Sequence, residues 1–124
     1  MKRYTLPAIL WSVLVTVLCL LPGKDLPPIH IVNLDKVFHC LFFGILNWFY
    51  LRWASIVVLQ NVLIKFVLIT SAVIGYGGLM EILQGSFYSD RMADIYDFLA
   101  NAVGCLLALL IIQKQISRKL KESN

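Results

Sequence analysis

Long stretches of this chain carry no charged side chain, notably Tyr4 to Gly23 and Phe66 to Met80. Each is long enough, or nearly so, to cross about 30 Å of hydrocarbon as a helix rising about 1.5 Å per residue. An ordinary soluble core of 124 residues has no use for such runs. With 60% apolar and only 15% charged residues, the solvent that suits the chain is a bilayer. The length allows one domain, residues 1–124.

The pattern predicts an all-α protein, a compact bundle of about four transmembrane helices. Helix one runs from about Leu6 to Leu21, with Thr5 as its cap, Pro7 tolerated in the first turn and Pro22-Gly23 as its stop. No small-residue cleavage pattern precedes Pro22, so the segment reads as retained rather than as a signal peptide. The proline-rich connection PGKDLPPIHIVN leads to helix two, which begins near Asp35 and ends in a belt of Trp48, Tyr50, Arg52 and Trp53. Helix three covers about Val62 to Gln84, and Gly75, Gly77 and Gly78 strip side chains from it so that a neighbour can come close. GSFYSD reads as a turn with Ser89 or Asp90 as a cap, followed by helix four through Asp97 to about Ile112. Ala100, Gly104 and Ala108 form a small-residue seam on that helix.

Four spans place both termini on one side, and basic residues choose the side. Eight of them (Lys2, Arg3, Arg52, Lys65, Lys114, Arg118, Lys119, Lys121) fall with the termini and three (Lys24, Lys36, Arg91) opposite, which accounts for all 11. The positive-inside rule then makes both termini cytoplasmic in a multi-pass protein of the cell membrane. The same placement explains the net charge of +4 without nucleic acid, because the cations flank apolar segments instead of forming a stripe among exposed aromatics. Cys19, Cys40 and Cys105 lie within apolar segments with no metal-type spacing and read as packing residues.

Six of the seven acids fall on the outer side, an asymmetry that the topology rule does not require. Asp35 and His39 share a face of helix two at i, i+4; Glu81 and Gln84 share one of helix three at i, i+3; and Asp94, Asp97 and Asn101 share one of helix four. Charged groups left alone beside hydrocarbon cost several kcal/mol, so these stripes should face inward and meet, with Lys36 and Arg91 against the carboxylates. Taken pair by pair they are ordinary structural ion pairs. Together they exceed what four short helices need for cohesion and imply a polar pocket on the extracytoplasmic side. Asp25, His30 and Asp90 are read as solvated loop residues.

The string DKVFHCLFFG, with EILQGSFYSDRMADIYDFLANAVG after a gap, resembles the signature of the VanZ-like family. Asp35, Lys36 and His39 match its opening, Glu81 and Gln84 its second part, and Arg91, Asp94, Asp97, Asn101 and Gly104 its third. The matches span about residues 21–108, and Phe43 stands where tyrosine is common. The resemblance implies a compact multi-helix membrane domain, and it points to teicoplanin resistance and to lipid-linked cell-wall precursors outside the membrane.

The leading expectation is a pocket in which Asp35, Lys36, Gln84, Arg91, Asp94 and Asn101 hold a lipid or cell-wall-precursor head group, cations clamping phosphate while carboxylates and amides take hydroxyls. The alternative is an enzyme on a lipid-linked substrate with His39, Glu81 and Asp97 as acid–base groups. No metal or cofactor is expected, since one histidine among hard oxygens is a poor zinc set. An ion path would place its polar groups nearer the midplane. A structural protein that pairs with itself through the Ala100-Gly104-Ala108 seam is the remaining reading.

Overall fold

The computed structural model describes residues 2–21, 34–57, 61–87 and 93–122. They form four helices: α1 (Lys2–Cys19), α2 (Leu34–Val57), α3 (Val62–Phe87) and α4 (Ile95–Glu122). No strand occurs among the described residues. Asn61 before α3 has a positive φ of 54°, a conformation that asparagine tolerates better than most residues.

The helices alternate up and down. The carboxyl ends of α1 and α3 meet where Gln84 Nε2 donates to the Cys19 carbonyl at 2.7 Å, and the amino ends of α2 and α4 lie at that same end, where Lys36 reaches Asp97. At the other end, the ring of Tyr4 on α1 packs edge-on against Trp48 on α2, with the Arg52 guanidinium over both. Helix α2 is central and touches the other three, whereas α1 makes no contact with α4.

The tightest contact joins α2 to α4. A Cβ on Gly104 would overlap the Cys40 carbonyl, and one on Gly44 would lie 3.1 Å from the Gly104 carbonyl oxygen, so here backbone packs on backbone. The small-residue seam of α4 is therefore spent inside the bundle at Gly104. Gly77 and Gly78 of α3 behave as the sequence suggests, packing on Phe43 with Asn101 and on Phe98, while Gly75 faces open space.

Two buried clusters fill the interior. One joins Val15, Phe43, Leu46, Val73, Met80 and Cys105; the other joins Leu51, Ala54, Phe66 and Ile112 at the end remote from Lys36. Between them sits a polar junction, where buried Asn47 donates to Thr70 Oγ1 at 3.1 Å and to the Cys105 carbonyl at 2.8 Å. Polar contacts also attach α1: Trp11 Nε1 donates to the Phe42 carbonyl, and the hydroxyls of Ser12 and Thr16 meet those of Tyr50 and Tyr76.

Helices α3 and α4 are each long and apolar enough to cross a membrane. Only 22% and 28% of their most apolar windows are buried, the reverse of a soluble core helix. Helix α1 is 18 residues long, and His39, Asn47 and Arg52 dilute the apolar character of α2. All four helices nevertheless expose large apolar side chains, Leu10 and Val13 on α1, Leu41 and Ile45 on α2, Leu68 and Ile82 on α3, Leu107 and Leu110 on α4. Soluble monomers rarely show so continuous an apolar surface.

The boundaries differ from the sequence expectation at three places. Helix α1 starts at Lys2 and ends at Cys19, so Thr5 lies inside it instead of capping it and Pro7 falls beyond its first turn. Helix α3 runs through Gly85 and Ser86 to Phe87, and α4 starts at Ile95 and continues well past Ile112. Asp94 caps α4, its Oδ1 accepting from the Tyr96 N–H at 2.8 Å and its carbonyl from Asp97 and Phe98. The caps expected at Ser89 or Asp90 lie outside the described residues.

Candidate functional site

Aspartates are stable where helices begin, because free N–H groups and the helix dipole favour negative charge there. Asp35 occupies the first turn of α2, Asp94 the cap of α4 and Asp97 its first turn. Since both helices start at the same end of the bundle, three carboxylates converge, and Lys36 fills the space between them. Its Nζ lies 3.2 Å from Asp35, 3.0 Å from Asp94 and 3.0 Å from Asp97. The Tyr96 N–H, and after it Lys36, holds the Asp94 carboxyl below the usual aspartate range.

One turn deeper, His39 lies between α3 and α4. Its Nδ1 is 3.1 Å from Asn101 Oδ1 and 3.4 Å from Glu81 Oε1, and its Nε2 is 3.8 Å from Asp97 Oδ2. Acceptor oxygens face both ring nitrogens, Asn101 Oδ1 and Glu81 Oε1 at Nδ1 and Asp97 Oδ2 at Nε2. The imidazole stacks nearly parallel to the Phe43 ring, which fixes its plane. Asn101 can sit this deep because α3 offers Gly77, where a Cβ would come within 3.0 Å of its Nδ2.

Side-chain exposure grades through the cluster, from 56% at Asp35 through 27% at Lys36 and 14% at Asp97 to 5% at Glu81. The site is thus a polar well, wet at its mouth and dry at its floor. Among the described residues it gathers four carboxylates against a single ammonium, so it suits hydroxyl and amine donors better than a bare anion.

Of the residues singled out in the sequence, Asp35, Lys36, His39, Glu81, Asp94, Asp97 and Asn101 come together. Gln84 is buried nearby, but its amide is committed to the Cys19 carbonyl at the end of α1. Arg91 lies outside the described residues. A ligand atom from each of His39, Glu81 and Asp97 can be chosen within 4.8 Å of the others, and the same holds for Asp35, Asp94 and Asp97. The first set, one imidazole nitrogen and two carboxylate oxygens, has the donor chemistry for a divalent cation. In the second, the Lys36 ammonium already fills the cation's place.

The sequence reading placed nothing polar deep in the bundle, and Asn47 with Thr70 corrects it. The junction holds three helices together and is remote from the well. The one signal for it was an asparagine interrupting an otherwise apolar run. Comparison with protein-family models, with curated proteins and with solved structures finds no match for this chain.

Proposed function

We propose that this is a four-span membrane protein with cytoplasmic termini, whose polar well opens to the outer side and binds the hydroxyl- or amine-bearing head group of a membrane lipid or lipid-linked cell-wall precursor. The observation that carries the reading is the convergence of three helices on Lys36 and His39, with acids outnumbering cations among the described residues. Three aspartates shared by one lysine leave carboxylate lone pairs to accept from a ligand, while the three Lys36 N–H groups are already directed at those aspartates. The up-down arrangement, the apolar surface on every helix, and Arg3, Arg52, Lys114 and Arg118 toward the opposite end support the spans and their orientation. The resemblance to the VanZ-like family fits this reading and suggests a part in teicoplanin resistance or envelope maintenance.

The direct test is lipid retention by protein reconstituted in nanodiscs and released for native mass spectrometry. A glucosyl diacylglycerol should be retained over phosphatidylglycerol, and Asp97→Asn and Lys36→Met should each cut that preference about tenfold, equivalent to about 1.4 kcal/mol. Equal retention of the two lipids by the unaltered protein refutes the head-group site. A C-terminal tag digested by protease in intact cells refutes the orientation.

An enzymatic reading rests on a separate observation, the orientation of His39. Nδ1 is hydrogen-bonded to Asn101 with Glu81 beside it, and Nε2 lies toward Asp97 and the more exposed part of the cluster, where a neutral imidazole could act as a general base. It would take a proton from a substrate hydroxyl, with Asp97 stabilising the imidazolium. Lipid profiles from cells carrying the protein and from cells carrying His39→Gln should then differ by at least one converted species; identical profiles exclude it.

A further inference from the structure

Directly beneath the well, the outer face of the α2–α4 seam is a groove of about 320 Å³ lined by Cys40, Gly44 and Ile45 on α2 and Gly104, Leu107 and Ile111 on α4. It exists because Gly44 and Gly104 bring the two backbones together without side chains, so larger neighbours stand up on either side. Its upper end lies below the cluster on the same helix faces, since Lys36, Cys40 and Gly44 follow one another at i, i+4 on α2, and Asp97 and Gly104 lie two turns apart on one face of α4. Its lower end closes on Trp48, a ring fixed by Tyr4, Phe49 and Arg52. From Cys40 to Trp48 is about 12 Å along the helix, most of the about 15 Å depth of one leaflet.

We propose that this groove seats one hydrocarbon chain of the same lipid whose head group occupies the well, so that the protein grips head and tail together. The inference rests on the head-group reading and adds to it the orientation and depth of the bound lipid. A second copy of the protein is a poorer occupant. A helix is about 10 Å across with its side chains, whereas the groove offers a space of about 320 Å³. The small residues that would let it approach are already packed against α2. A chain entering from the surrounding leaflet leaves no polar group behind, and a head group tethered by it meets Lys36, Asp94 and Asp97 one turn above.

The test is photocrosslinking in nanodiscs containing a glucosyl diacylglycerol with a diazirine midway along one acyl chain, the adducts being mapped by peptide mass spectrometry. Adducts should concentrate on Ile45, Leu107 and Ile111, and Leu107→Trp, which fills the cleft from an exposed position, should reduce them at least fivefold. Lys36→Met should weaken the groove adducts of the glucosyl lipid but not those of a diazirine-labelled phosphatidylglycerol. Adducts spread evenly over the exposed residues of α1 and α3 would overturn the tail site while leaving a glucosyl preference in retention intact. Groove adducts that ignore the head group, with no retention preference, would instead strike at the well. Protein-to-protein crosslinks at Leu107 would assign the groove to a second copy and end the proposal.

Discussion

Helices α1 and α4 both pack on α2, yet by opposite means. The α2–α4 seam is made of glycine backbones in direct contact, topped by ion pairs. The α1 contacts are made of side-chain hydrogen bonds, Trp11 to the Phe42 carbonyl and Ser12 to Tyr50 on α2, with Tyr76 and Gln84 of α3 meeting Thr16 and the Cys19 carbonyl. In hydrocarbon the hydrophobic effect between helices vanishes, leaving close packing and polar contacts as the two available adhesives. The bundle uses the first between α2 and α4 and the second to hold α1 to α2 and α3. Packing by bare backbone fails abruptly when a side chain is added, whereas a set of hydrogen bonds fails by increments.

The largest effect expected from this difference is at Gly104. Gly104→Val pushes side-chain atoms into the Cys40 carbonyl and should cost about 3 kcal/mol or prevent folding, read as thermal unfolding in detergent. Gly75→Ala is the control and should leave the melting curve unmoved, because nothing lies within 4 Å of the added methyl. Asn47→Leu comes next. It removes two hydrogen bonds at the three-helix junction and should cost about 1.2 kcal/mol, since such bonds average about 0.6 kcal/mol each in membrane proteins. Gln84→Leu frees only the Cys19 carbonyl, and a loss of about 0.6 kcal/mol is expected, with fraying of the end of α1 visible by hydrogen exchange. A Gln84 effect larger than that of Gly104→Val would invert the comparison.

The smallest effect is a pH dependence at Asp94. Its folded-state pKa lies below the unfolded value, so its stabilising contribution is complete above the ordinary aspartate range and is lost as pH falls through the depressed value. Unfolding followed from pH 7 downward should show no Asp94-dependent change until pH drops below that of a free aspartate. In Asp94→Asn the dependence at the acid end should shrink.

The helix count and the polar stripes were legible because charge-free runs and i, i+4 spacing depend only on local geometry. Asp35, His39, Asp97 and Asn101 needed nothing further. Gln84 was harder to place. Its i, i+3 relation to Glu81 puts both on one face of α3, but whether its amide turns to the well or to α1 depends on where α1 ends, and α1 carries no charged group beyond its first turn to announce its neighbours. Gly44 was overlooked for the complementary reason. A single glycine in helix two gains meaning only against Gly104, 60 positions later. The continuation of α4 past Ile112 has a readable cause, because Ile116 extends the face that packs near Leu51 and Phe66. The positive-inside bias had drawn attention instead to the charges around it.

The seam between α2 and α4 also bears on how the molecule is made. On the proposed four-span topology, α2 enters the membrane a whole helix before its closest companion exists. Lys36, His39 and Asn47 must therefore wait, their counterparts on α4 not yet synthesised, while α3 is threaded beside them. Biogenesis of this small chain thus contains an interval in which a nascent intermediate holds ionisable groups near lipid, which makes it a natural client for an insertion chaperone able to shelter them.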